Sequence, residues 1–323
     1  MRDPIFSVVI AAGDDAPLEA TLASLHSQWF GDWEAIIVVY GPAQSNLTPA
    51  LRLAERVVRL RVLSEPASGR SAARTIGAAY ATADLLAFLD AGDIWPPGTL
   101  GTCHTLFAGS VGRPEATASP AVIHGRVVFG ESDLASTGRM SPRPLALRSL
   151  ATLLGVNPLG CASNLVMRRS VFTAVGGFDE SLDLGAEQEW LFRAHRAGIG
   201  PILGINVLLA VHRAPSSDPA ELLAQRDRAW REIIARAAQT APRLVEEFGH
   251  RVQALHLRGL ACEALSRPST CAAAAPLVLR AVAADWSLLL QEPRTLGLLC
   301  AALLVRLAPS RRFCVWLGRL TNG

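Results

Sequence analysis

The feature that most constrains this chain is an alternation of two periodicities over its first ninety residues. Short, continuous apolar runs at residues 5–10, 35–40, 57–63 and 85–89 are bounded by turn residues or charges, as buried strands are. Between them, residues 18–28, 48–55 and 70–81 carry apolar or small residues at helical spacing. Strand, helix, strand repeated three times requires crossover connections, hence parallel strands wound right-handedly with both sheet faces covered. In such α/β sheets a ligand sits beyond the carboxyl ends of the strands. The tips at residues 11–15, 40–45, 64–69 and 90–95 are therefore where function is expected.

Beyond residue 96 the pattern loosens. A helix over 100–107, a strand over 121–129, a mobile loop over 130–144, a strand over 162–167, a short helix over 170–175, a helix over 187–196 and a strand over 199–211 are expected. After residue 216 strand signals stop, and alanine, leucine and arginine recur in helical runs broken at Pro242, Pro268, Pro276, Pro293 and Pro309. The expected organisation is an α/β domain over 1–215 with a mostly parallel central sheet, followed by a helical region over 216–323.

Composition narrows the chemistry. A hydrophobic fraction of 50% with 18% charged residues excludes a disordered chain. A net charge of +3 is too mild for nucleic acid to be expected as a partner. All 31 cations are arginine, which excludes Walker-type phosphate loops, Schiff-base chemistry and any other mechanism needing an ε-amine. The six cysteines, at 103, 161, 262, 271, 300 and 314, show no C-x-x-C pair and read as reduced thiols. No signal peptide is visible at the N-terminus, and the longest membrane-like run, 295–305, is far below the roughly 20 residues of a spanning helix. A cytoplasmic location is expected.

Four constellations can carry chemistry. Asp90 and Asp93 lie just past an apolar strand, separated by Ala91 and Gly92, whose glycine permits a tight turn. Two carboxylates so placed can hold a hard divalent cation, although Asp93 could equally cap a helix starting at 94–97. Arg70 and Arg74, one turn apart at a helix start, suit a diphosphate, the alternative being a solvated helix face. Glu187 and Glu189 diverge by about 200° around a helix, so one can face a cleft as a base while the other serves structure. His212 and Arg213 end the last apolar strand, where an imidazole could ligate metal, an arginine could meet phosphate, or neither.

In order and spacing, residues 7–14, 32–40, 68–77, 84–97, 157–182 and 187–198 resemble the blocks of family 2 glycosyltransferases of GT-A fold. The most specific pieces are Ser-Ala-Ala-Arg-Thr-Ile-Gly at 71–77, the tip at 89–97, and Met-Arg-Arg at 167–169 running to Val-Gly-Gly-Phe-Asp-Glu at 175–180. The resemblance covers about the first 215 residues. It implies a nucleotide-diphosphate sugar donor, a divalent Mg²⁺ or Mn²⁺, inversion at the anomeric carbon, and a saccharide or lipid-linked acceptor in surface polysaccharide or glycan synthesis. It places Asp90 and Asp93 in the metal region, Arg74 near the donor phosphates, and Ala12, Gly13 and Tyr40 around the nucleotide. It aligns Glu187 with the catalytic base, its distance to Arg193 matching the family spacing without a gap. The chain departs from the pattern at Gly92, where the family carries a second metal-region aspartate, at Tyr40-Gly41, where it carries a nucleotide-contacting Asp pair, and at Glu187, usually Asp. These departures leave an alternative, a catalytically degenerate nucleotide-binding or scaffold protein.

From 294 onward there are five arginines and no acid, interleaved with Leu296, Leu298, Leu299, Leu303, Leu304, Phe313, Trp316 and Leu317. Such a segment can lie in the headgroup layer of an anionic membrane or pack its leucines inward.

Overall fold

The computed structural model describes residues 3–14, 17–41, 47–55, 59–64, 68–109, 119–130, 136–141, 144, 149–213, 218–267, 269–291 and 293–307. In chain order the elements are β1 (Phe6–Ala12), α1 (Leu18–His26), β2 (Trp33–Val39), α2 (Leu47–Ala54), β3 (Leu60–Ser64), α3 (Arg70–Ala79), β4 (Leu85–Phe88) and α4 (Thr99–Ala108). There follow β5 (Val122–Gly130), β6 (Ser136–Met140), α5 (Leu150–Gly155), β7 (Leu165–Arg168), α6 (Arg169–Val175), α7 (Ala186–Arg196) and β8 (Ile202–Arg213). The remainder is α8 (Pro219–Thr240), α9 (Pro242–Leu265), α10 (Ala274–Ala284), α11 (Leu288–Gln291) and α12 (Pro293–Leu307). The chain divides into two compact units, the first made of Met1–Leu134, Ser141–Ala146 and Pro158–Ala214, the second of Ala135–Met140, Leu147–Asn157 and Pro215–Gly323.

The first unit is the expected α/β sheet, in the order β3-β2-β1-β4-β7-β5 with β8 paired to β5. β1 pairs parallel with β2 and β4, and β2 with β3. β7 runs antiparallel between β4 and β5, and β8 returns parallel to β5. Every residue of β1 is buried, as is β2 apart from Glu34, because helices cover both faces and an apolar side chain is then buffered from water on either side. α3 lies close against this sheet because its inner face is small: Ser71, Ala72, Ala73, Gly77 and Ala78 are buried. A Cβ on Gly77 would stand 2.4 Å from Val9 Cγ1, so glycine sets the distance between helix and strand. That distance brings Arg74, buried on the same helix, over the end of β4.

Three expectations needed adjustment. The strand expected over 162–167 opens as a 3₁₀ turn, Ala162–Asn164, because the Asn164 side chain ties down Gly125 O and Leu159 O before the ladder begins. Part of the loop expected over 130–144 is strand β6, while 131–135 and 142–143 lie outside the described residues. The last strand extends two residues further than expected and carries His212 and Arg213 within it.

The second unit is helical apart from β6. α9, α10 and α12 share a core of Ala261, Ala264, Leu265, Ala274, Ala275, Val278, Leu298, Ala301, Ala302 and Val305. Glu263 is held between Arg139 and Arg226; burial would raise its pKa, but the two guanidiniums outweigh that and keep it below the usual range. α12 packs Leu298 inward while Leu296, Leu303 and Leu304 stay exposed. Phe313, Trp316 and Leu317 fall outside the described residues. Among the described residues no helix is long and apolar enough to cross a membrane.

Candidate functional site

The expected strand tips converge at the carboxyl ends of β1, β2 and β4. Past β1, Gly13 faces Tyr40 at the end of β2, so closely that a Cβ on Gly13 would stand 2.9 Å from the Tyr40 hydroxyl. The Tyr40 amide donates to Ala12 O at 3.1 Å, locking the two tips together. Arg70, the first residue of α3, brings its Nε to 3.4 Å from the Tyr40 hydroxyl. Burial would lower the Arg70 pKa, but Asp90, Tyr40 and Asp93 more than offset it, so the group remains a fixed cation.

At the end of β4, Arg74 holds Asp90 through both carboxylate oxygens, Nε to Oδ1 at 2.9 Å and the second guanidinium nitrogen to Oδ2. Both side chains are buried. For Asp90, burial opposes ionisation, yet Arg74 and Arg70 win and its pKa lies below the ordinary carboxylate value. An aromatic cluster of Phe88, Phe172, Phe178 and Trp190 forms the floor, with Arg74 5.8 Å from the Phe178 ring centre. Water kept out on this side strengthens the pair.

Asp93 is a hub. Its carboxylate accepts from Ser163 Oγ at 2.5 Å and from the Arg213 amide at 2.9 Å, and stands 3.0 Å from His212 Nδ1. Ser163 Oγ in turn accepts from the Asp90 amide, so one serine fixes both acids. Between the acids the chain turns at Gly92, φ +100°, where a Cβ would meet Arg213 Cδ at 3.4 Å. A side chain at 92 would be strained by that backbone conformation.

Of the expected metal set, Asp93 and His212 come together, joined by Cys161. Asp93, His212 and Cys161 bring their ligand atoms within 4.8 Å of one another, while Asp90 stands outside with Arg74. Thiol and imidazole suit softer ions than Mg²⁺, which demands near-octahedral oxygen ligands. Burial, reinforced by Asp93, Asp90 and Glu187, pushes the Cys161 thiol well above its ordinary pKa. Both oxygens of Asp90 meet Arg74, and those of Asp93 meet Ser163 Oγ, the Arg213 amide and the His212 ring.

The two glutamates of α7 separate as their angular spacing demands. Glu189 is paired to Arg193, Nε to Oε1 at 2.7 Å, and Arg193 also donates to Val175 O and Gly177 O, so this acid ties α7 to the end of α6. Glu187, 7% exposed, faces the other way, its charge felt by Arg74 and Cys161. Cys161 and Ser163 were not singled out from sequence. They lie on an irregular turn with no periodicity, and no local signal would have found them.

This sheet order, with a cation–carboxylate cluster at its carboxyl edge, defines a GT-A-like glycosyltransferase fold. The chain belongs to glycosyl transferase family 2, whose model matches residues 7–176. Among curated proteins, it is 29% identical over 207 residues to the O-antigen biosynthesis protein RfbC of Myxococcus xanthus, covering 61% of this chain but only 15% of that relative. Among solved structures it resembles S. aureus TarS, with a TM-score of 0.51 at 14% identity over 87% of this chain and 53% of that one. It is similarly close to TarS 1-349 in complex with UDP-GlcNAc, TM-score 0.51 at 14% identity, covering 93% of this chain and 91% of that one.

Proposed function

We propose that this chain transfers a sugar from a nucleotide-diphosphate donor to a hydroxyl acceptor, in the synthesis of a surface polysaccharide or lipid-linked glycan. The observation that carries the reading is the convergence of Tyr40, Arg70, the Arg74–Asp90 pair and Glu187 on one strand-end edge. Tyr40 over Gly13 offers a face for the base, with Ala12 beside it, and Arg70 with the start of α3 offers donors for the phosphates. The family relationship supports transfer, the complexes of TarS with UDP and UDP-GlcNAc support a nucleotide-sugar donor, and the O-antigen relative supports a glycan product.

In this reaction the acceptor oxygen attacks the anomeric carbon from the face opposite the diphosphate and gives its proton to Glu187 Oε, while the carbon–oxygen bond to the diphosphate breaks. The configuration inverts. Glu187 is one methylene longer than aspartate, which suits an acceptor seated slightly further out. Arg70 meets the charge that gathers on the leaving group, and Asp90 holds Arg74 in place rather than binding substrate through its own oxygens. The Mg²⁺ or Mn²⁺ implied by the sequence resemblance would find Asp93 and His212 as candidate ligands and would help to offset the diphosphate charge; the steps above are carried by the chain's own residues.

The exposed Leu296, Leu303 and Leu304 of α12, in a stretch without acids, support a peripheral contact with an anionic membrane beside a lipid-linked acceptor. The central test is calorimetry of the full chain against a panel of nucleotide sugars, followed by turnover with candidate acceptors. Tight binding of one donor with transfer is expected. Binding without turnover favours the degenerate binding protein, and no binding refutes the reading.

A further inference from the structure

We propose that the indole of Trp29 is a stacking platform for one ring of a glycan, a second sugar-binding position on the flank of the first unit, apart from the strand-end cluster. The inference rests on the glycan reading above. It goes beyond it by giving a sugar chain a point of attachment outside the transfer site.

Trp29 lies in the loop between α1 and β2, and the residues on either side of it are tied down. The Gln28 side chain donates to Pro96 O at 2.7 Å and accepts from the Leu100 amide at 3.0 Å. Phe30 packs against Phe6, ring centres 5.5 Å apart, and against His104 at 4.4 Å. The Trp29 amide donates to Pro97 O at 3.2 Å. The backbone under the indole is therefore fixed to the start of α4, while the ring itself is 66% exposed. An indole left in water forgoes the burial that a core position would give it.

Two glycines one helical turn apart make its seat. A Cβ on Gly101 would fall inside the ring's own volume, nearest Cη2 and little further from the carbons on either side of it, Cζ2 and Cζ3. Near-equal distances of that kind put the point over the face of the six-membered ring, because at its edge the flanking carbons would be much further away than the middle one. One face of the indole thus rests on Gly101 and the opposite face is turned to solvent. Alanine is the better helix former, so glycine inside α4 gives up helix propensity to seat the ring. At the pyrrole end, a Cβ on Gly98 would stand 3.2 Å from Trp29 Nε1 and 4.0 Å from Thr102 Oγ1, so an N–H and a hydroxyl flank one spot. Among the described residues neither has a hydrogen-bond partner.

A flat apolar face with polar groups at its rim suits a pyranose ring. The C–H groups on one side of the sugar carry partial positive charge and settle on the negative face of the indole, while its hydroxyls project sideways toward donors and acceptors such as Trp29 Nε1 and Thr102 Oγ1. A bilayer or a protein interface draws instead on a contiguous apolar patch. Across the loop 27–32 and α4, Trp29 is the one large hydrophobic side chain that is exposed among the described residues. The position also sets the kind of sugar. Thr21 of α1 bonds the Gly92 amide and Asp93 O at the strand tip, and Trp29 follows eight residues later, about 12 Å along by helical rise. The ring that stacks there belongs to a chain of several sugars, beyond the one being transferred.

The experiment uses the full chain and a panel of oligosaccharides of five or more units, built from glucose, galactose, mannose, rhamnose and N-acetylhexosamines. The retained glycan is titrated by calorimetry against wild type, Trp29→Ala, Trp29→Phe and Gly101→Ala, with nucleotide sugars in parallel. Trp29→Ala should weaken the glycan by about tenfold or more, and Trp29→Phe by less, since a phenyl ring keeps part of the face. Gly101→Ala should weaken it although the tryptophan is still present, and nucleotide-sugar affinity should not change in any variant. A wild-type measurement guards against a variant that folds poorly: with 5-fluorotryptophan incorporated, the ¹⁹F resonance missing from Trp29→Phe should shift when glycan is added. Equal glycan affinity in wild type and Trp29→Ala, an unmoved Trp29 resonance, or a wild type that retains no glycan overturns the inference. Trp29-dependent glycan binding with no nucleotide sugar bound sustains it and refutes the donor reading.

Discussion

Replacing Arg74 with methionine removes the cation from a pair whose two side chains are only 4% and 6% exposed. Methionine fills most of the guanidinium stem's volume, so the loss is electrostatic rather than a cavity. Breaking a buried pair from one side costs about 3–5 kcal/mol, because the partner is left charged out of water. Arg70 still faces Asp90, which puts the expected loss near the lower end, about 3 kcal/mol. At a urea slope of up to about 3 kcal/mol/M this moves the first transition by about 1 M or more. The pH dependence distinguishes electrostatics from packing. In the wild type Asp90 is depressed below its ordinary 3.8, so its stabilisation is fully present above that value and is lost only as pH falls below it. In the variant Asp90 is a buried acid without its main partner, and acid that protonates it relieves the penalty, so the gap from wild type narrows between pH 7 and pH 5. Arg74→Met with Asp90→Asn should recover part of the loss for the same reason. A cost under about 1 kcal/mol, or a gap independent of pH with strictly additive mutants, would refute the reasoning.

Glu187→Gln should leave nucleotide-sugar affinity nearly intact and lower the transfer rate by about 10²–10⁴-fold, read by single-turnover assays. Glu189→Gln should instead cost stability, about 1–2 kcal/mol by urea titration, with transfer largely retained, since its work is to hold Arg193. Gly77→Ala drives a methyl toward Val9 and should cost about 1–3 kcal/mol while pushing α3 off the sheet, weakening donor binding alongside stability. Salt-sensitive co-flotation with anionic vesicles, lost when Leu296, Leu303 and Leu304 are changed to glutamine, is the outcome expected of a membrane contact; equal recovery without vesicles argues against it.

The parallel half of the sheet was legible because burial on both faces writes itself into the sequence as uninterrupted apolar runs, as in β1 and β2. The tips followed from topology, which put Tyr40 and Asp90 among the candidate positions, while Arg70 and Arg74 stood out as cations at a helix start and the role of Tyr40 came from the family resemblance. What stayed hidden depends on residues that no periodicity marks. Ser163 lies on a 3₁₀ turn whose polar atoms answer to Asp90 and Asp93, seventy residues away, and Cys161 reaches the same place. β6, which groups with the helical unit, comes from a stretch of glycine, serine and proline whose local chemistry favours neither strand nor helix, and α5, six residues long, is too short for helical periodicity to show.

The same distinction applies to the two acids of the β4 tip. A carboxylate's chemistry is set by the donors aimed at it, and those donors come from elements far apart along the chain: Arg74 from α3, Ser163 from the turn before β7, and His212 with Arg213 from β8. Here each is answered from another element, Asp90 by the Arg74 guanidinium and Asp93 by a serine hydroxyl, a backbone amide and an imidazole. On α7 the same logic separates two glutamates within one helical turn: Glu189 is answered by Arg193, and the proton transfer proposed above belongs to Glu187, two residues before it.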